Sequence, residues 1–123
     1  MGIELTDAVR LAWIGPSKSY TTSNGEHTSN DSVDIVGCIS TPGRVHHAFT
    51  GTGAINAGSL SCIPGTVVNK CIYGENSDGL RLGHPAGFMH VKAQCEFDRV
   101  WKINRAGFVR TARCLMMGEV YIP

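Results

Sequence analysis

Charge is scarce in this 123-residue chain: Asp, Glu, Lys and Arg make up 17%, against about a quarter in ordinary globular domains. What charge there is nearly cancels, to a net +1. A basic footprint for nucleic acid or for an anionic membrane is therefore missing. No apolar run approaches the roughly 18 residues of a membrane span, and the N-terminus lacks the apolar region of a signal peptide. The default expectation is a cytoplasmic protein with neither a nucleic-acid nor a membrane partner. None of the five cysteines (Cys38, Cys62, Cys71, Cys95, Cys114) is spaced C-x-x-C from another. With their odd number, this argues against a structural zinc site and against a disulfide framework. They read as core residues, at most one of them reactive. Heptads and internal repeats are absent too.

What is present describes one domain with a real core. Hydrophobic residues form 42% of the chain and glycines number 15, so wholesale disorder is excluded and many turns are expected. The run Val9–Ile14, stopped by Gly15-Pro16, predicts a buried strand. The polar stretch Ser17–Ser32 predicts a surface loop or short hairpin. Strands are predicted at Ser32–Ser40, Thr66–Asn69, Leu80–Leu82, Phe88–Ala93 and Asp98–Asn104, with a strand-like stretch at Phe108–Leu115. Between them, Thr52–Ile63 is free of charge and proline until Pro64-Gly65 ends it. That predicts one short helix, buried on every side. The fold class is α+β, mostly β, with strands wrapped around one central apolar helix.

The strongest chemical feature is Thr50-Gly51-Thr52-Gly53 at the head of that helix. The first amides of a helix have no internal partners and carry the positive end of its dipole. Glycines let a ligand come close, so the segment predicts a cradle for a carboxylate or phosphate. The plainer alternative is a tight turn feeding a core helix, with Thr50 or Thr52 as its N-cap. It is not a P-loop, for the spacing and the lysine are missing. His84 lies in Gly83-His84-Pro85-Ala86-Gly87, a stiff loop suited to presenting one titratable group. Arg81 precedes it and is a candidate partner for an acidic substrate, or else a solvated strand edge. His46 reads as a hydrogen-bonded structural histidine. No cysteine lies in a local nucleophile motif, and the histidines have no companions at metal-ligand spacing. Arg110 and Arg113 read as ion-pair or interface residues.

In order, the chain carries VRLAWIGPSKSY, VDIVGCIS, GRVHHAFTGTGA, IPGTVVN, LRLGHPAGFM and FVRTARCLMMGEVYIP. This series resembles the C-terminal part of the PrpF family, the 2-methylaconitate cis-trans isomerases and related allylic isomerases of unsaturated tricarboxylates. The resemblance covers nearly the whole chain. It implies half of a diaminopimelate epimerase-like fold, with the helix N-terminus facing a cleft between two domains. It implies a substrate-binding set of Thr50, Gly51, Thr52, Gly53, Arg81 and His84, with no metal and no cofactor. Thr50 stands where related epimerases have a catalytic cysteine. It has nothing adjacent to activate it, so it is expected to donate a hydrogen bond. Ala86 replaces a serine usual in the family. The family's first domain, which carries the lysine and cysteine of proton transfer, has no counterpart here, and Met1-Gly2-Ile3 aligns with an internal segment of family members. The chain is thus expected to be one domain, 1–123, of a larger or split enzyme, with no catalytic residue assigned and little activity alone. The alternative is a non-catalytic carboxylate-binding or structural domain that docks to a separate first domain. Self-association through an exposed apolar face is expected as well.

Overall fold

A computed structural model describes residues 9–74 and 78–122; Met1–Ile3 lie outside them. The strands are β1 (Leu11–Pro16), β2 (Tyr20–Thr21), β3 (His27–Thr28), β4 (Ile35–Thr41), β5 (Arg44–Val45), β6 (Leu80–His84), β7 (Gly87–Asp98) and β8 (Val100–Phe108). Two helices, α1 (Gly51–Ser61) and α2 (Val67–Cys71), fall between β5 and β6. The main sheet runs β1-β4-β6-β7-β8 with β5 alongside β4, and β2 pairs with β3 in a separate hairpin. Every pairing is antiparallel except that of β4 with β6, which rests on Ile35↔Leu82 and Val36↔Gly83.

Side chains alternate across a strand, and here the alternation points one face at α1. Ile35 and Ile39 of β4, Leu80 and Leu82 of β6, and Val91 of β7 are buried in one cluster with Ala54 and Ala57 of α1, Phe49 and Val68. Full burial of each large aliphatic side chain contributes about 1.5–3 kcal/mol. Gly58 sets the helix against the sheet: a Cβ there would collide with Val91 Cγ1. The result is the mostly-β α+β architecture read from the sequence, a sheet curled about one principal helix.

Several local expectations are corrected. Thr66–Asn69 is not a strand. Thr66 caps α2 by accepting the Asn69 N–H at 3.2 Å, and this local bond overrides the strand preference of two valines. The central helix begins at Gly51 and ends at Ser61, short of Pro64. Asn69 Nδ2 takes the Ser61 carbonyl at 2.8 Å, a side-chain partner for a helix-end acceptor. Nor is α1 buried all round: Thr52 and Asn56, one turn apart, are exposed. β1 is an exposed edge strand whose pairing continues through Pro16, a place where proline is tolerated. Gly83 and His84 belong to β6 rather than to a loop. β8 ends at Phe108; the chain beyond it is exposed and finds no further strand partner among the described residues.

Candidate functional site

The head of α1 is built by Thr50. Its backbone is extended, and its Oγ1 accepts the Gly53 N–H at 3.2 Å while its carbonyl accepts the Ala54 N–H at 2.8 Å. Of the amides named in the sequence, Gly53 is thereby occupied. Those of Gly51 and Thr52, the first two of the helix, have no partner within it. The Thr50 hydroxyl accepts one bond and keeps its own proton to donate. No acidic side chain sits in the first turn and no basic one in the last.

The two glycines are required by the protein's own packing. A Cβ on Gly51 would lie 2.7 Å from Phe108 Cζ, and one on Gly53 would lie 2.9 Å from Ile39 Cδ1. Alongside runs a cavity of about 270 Å³, lined by Arg10, Ile39, Thr50, Thr52, Gly53 and Asn56 among others. Arg10 is thus a cation on the wall of the cavity that flanks the helix. In the sequence it was one polar position at the start of an apolar run, with no local signal to distinguish it.

His84, the last residue of β6, is within electrostatic reach of His47, which stands three residues before Thr50 in the chain. His84 is buried, and its Nδ1 accepts the Ala86 N–H at 3.2 Å, leaving the proton on Nε2. Burial, and then the nearby charge of His47, hold its pKa below the ordinary 6.5. The imidazole is therefore a neutral donor near pH 7. His46 does not have the hydrogen-bonded side chain expected of it: its Nε2 is buried with no partner among the described residues.

Arg81 is not brought to this place. Its neighbours Leu80 and Leu82 face α1, so its side chain leaves from the opposite face of the sheet. There the guanidinium meets Asp34 Oδ1 through Nε (3.1 Å) and Nη2 (2.6 Å), and Asp31 O through Nη1 (2.8 Å). A cavity of about 730 Å³ lies at the other end of α1 beside Cys62 and Asn69. Its lysine, Lys92, is already paired with Asp78 at 2.6 Å. Among the described residues no three His, Cys, Asp or Glu side chains gather to hold a metal ion. None of the described helices is long and apolar enough to cross a membrane.

The fold and the sequence are similar to those of known proteins. A crystal structure of methylitaconate-delta-isomerase superposes with a TM-score of 0.68 at 27% identity, over 84% of this chain and 29% of that one. The 2-methyl-aconitate isomerase of Shewanella oneidensis is 36% identical over 115 residues, 93% of this chain and 29% of the relative. The 3-methylitaconate isomerase of Eubacterium barkeri is 33% identical over 114 residues, 91% of this chain and 29% of the relative. The chain thus spans under a third of the length of these relatives. The family model described as PrpF protein matches residues 4–123, and this chain belongs to the PrpF family.

Proposed function

We propose that this domain is the carboxylate-holding wall of an isomerase. The reaction is a double-bond shift or a cis-trans change in an unsaturated di- or tricarboxylate such as 2-methylaconitate or aconitate. The carrying observation is the head of α1: two amides without helical partners, a threonine hydroxyl with a proton to give, and Arg10 on the same cavity wall. Moving a proton alpha to a carboxylate requires a base on one side and stabilisation of enolate-like charge on the other. Gly51 N–H, Thr52 N–H and the Thr50 hydroxyl supply the second, helped by the dipole of a helix with no charge in its first turn. His84, neutral with its proton on Nε2, adds a donor. The base is assigned to another part of the protein, as the resemblance implies for the family's first domain. On this reading Arg81 supports the sheet and does not touch the substrate.

The test is amide-resolved NMR of the chain titrated with cis-aconitate, trans-aconitate and 2-methylaconitate, with the isomers followed in the same tubes. The expected result is saturable shifts at Gly51 and Thr52, weakened about threefold to tenfold by Arg10→Gln, with no measurable isomerisation. Shifts confined to other regions would overturn the site. Turnover at an ordinary enzymatic rate, about 1–1000 per second, would overturn the assignment of the base elsewhere. The many exposed apolar side chains, Trp13, Phe88, Phe97 and Met117 among them, favour a second reading, a non-catalytic domain that docks to a separate first domain. Adding the family's first domain in trans separates the two. Turnover then marks the isomerase, and unchanged binding without turnover marks the docking domain.

A further inference from the structure

At the end of α1 away from the carboxylate site, two thiols meet. Cys62 is the C-terminal cap of the helix, and its Sγ lies 3.6 Å from both the Gly58 and the Ala93 carbonyl oxygens. Cys95, on β7, directs its Sγ to the Ser59 carbonyl at 3.7 Å. The contacts cross, the helix thiol on a strand carbonyl and the strand thiol on a helix carbonyl. Three features of the fold produce this. Gly58 seats the helix directly on Val91. Ala93 and Cys95 share a face of β7, as do Ser59 and Cys62 of the helix turn. The pairing with β8 slips between Gln94 and Cys95 with the extra residue, Asn104, on β8, so β7 keeps its alternation through Cys95. The two thiols thus rest on the carbonyls of consecutive helix residues, Gly58 and Ser59. Both are only partly buried, and Cys62 opens onto a cavity.

We propose that Cys62 and Cys95 are a redox-active dithiol, which a peroxide converts to an intramolecular disulfide joining the end of α1 to β7. Burial, and after it the contact with Cys62, push the Cys95 thiol up to about 11. Cys95 therefore holds its proton, and Cys62, which opens onto the cavity, is the thiol that a peroxide meets first. The Cys62 sulfur takes one oxygen of hydrogen peroxide, the O–O bond breaks, and one water leaves with Cys62 as a sulfenic acid. The Cys95 sulfur then attacks the Cys62 sulfur. The S–O bond breaks, the Cys95 proton goes to the departing oxygen, and a second water leaves. Two thiols lose two electrons and one peroxide gains them. Their shared position offsets the poor nucleophilicity of a protonated thiol in the second step. The bond encloses α2 and β6 in a covalent loop and so restricts the unfolded chain.

The experiment uses the chain with exposed Cys114 replaced (Cys114→Ser), treated with a small excess of hydrogen peroxide, alkylated and analysed by intact mass and peptide mapping. Expected are the loss of two hydrogens, one cross-linked peptide pair containing Cys62 and Cys95, full alkylation of Cys38 and Cys71, and a melting temperature that rises and falls back with reductant. With Cys95→Ser added, Cys62 stops at a sulfenic acid that dimedone traps. With Cys62→Ser added, Cys95 stays alkylatable. A peroxide-treated chain whose Cys62 and Cys95 both alkylate in full, a disulfide through Cys38 or Cys71, or a cross-link between two chains would each overturn the proposal.

Discussion

Asp34 accepts three hydrogen bonds from Arg81: from its backbone N–H at 2.6 Å, from Nε at 3.1 Å and from Nη2 at 2.6 Å. The Asp34 N–H returns a bond to the Arg81 carbonyl at 2.8 Å. The carboxylate is nearly buried while the guanidinium is partly open to water, with side-chain exposures of 9% and 41%. Arg81→Met keeps the aliphatic stem and the backbone N–H bond to Asp34 but removes the guanidinium bonds to a nearly buried carboxylate. A loss of about 1–3 kcal/mol is expected in urea denaturation. Carboxylate binding by the folded fraction is expected to be unchanged, because the side chain leaves the face opposite α1.

Thr50 links stability to the proposed site. Thr50→Val deletes the acceptor for Gly53 N–H and is expected to cost about 0.5–2 kcal/mol. It also removes the free hydroxyl proton, so carboxylate affinity falls in the same variant. Thr50→Ser preserves both properties. Valine at Gly51 or Gly53 is a poor probe, since the Cβ directions are filled by Phe108 and by Ile39. Those variants are expected to be largely unfolded in circular dichroism.

His84 makes the fold acid-sensitive. Its folded-state pKa is held below the ordinary 6.5 by burial, and then by His47, so the unfolded chain binds the proton more readily. Its neutral-state contribution is fully present above the unfolded value and is lost as pH falls through the folded one. The urea midpoint is expected to drop between about pH 7.5 and pH 5, and to drop less in His84→Gln. Equal slopes in the two proteins would contradict this.

The contact between Gly58 and Val91 predicts a compensating pair. Gly58→Ala places a methyl into Val91 Cγ1, and overpacking of this kind costs about 1–3 kcal/mol. Removing the opposing methyls by Val91→Ala should recover part of that loss. A double-mutant cycle in chemical denaturation measures the coupling, and strictly additive effects would show that helix and strand do not press on each other as described.

The sequence told most where one kind of signal acted alone. The uncharged stretch after Thr50 was legible as the central helix because a charge-free face has to be covered. A threonine cap, Thr50 or Thr52, was legible from residue type, and the structure uses Thr50. Thr66-Val67-Val68 misled, because β-branched residues read as strand until the threonine hydroxyl is seen to bond Asn69 N–H. The candidate site divided in the same way. Thr50 and the first amides follow from helix chemistry, and His84 from a stiff Gly-Pro turn. The side taken by Arg81 depends on strand register, and the sharing of one cavity by Arg10 and Thr52 depends on how the start of the chain and α1 fold together. Neither leaves a mark within a few residues of sequence. The meeting of Cys62 with Cys95 is equally non-local.

The sheet is two antiparallel blocks, β1-β4-β5 and β6-β7-β8, joined by a two-pair parallel contact and the Asp34–Arg81 clasp. β4-β5 and β6-β7-β8 zip along hairpins, and β1 joins β4 across the stretch that holds β2 and β3, whereas the seam forms only after the longer chain carrying α1 and α2 has closed back from β4 to β6. Loop closure of that kind is an entropic cost met before any contact rewards it. The seam therefore belongs to the late part of folding and the early part of unfolding. Amides on the facing edges of β4 and β6 are the ones that a brief opening, well short of global unfolding, delivers to solvent.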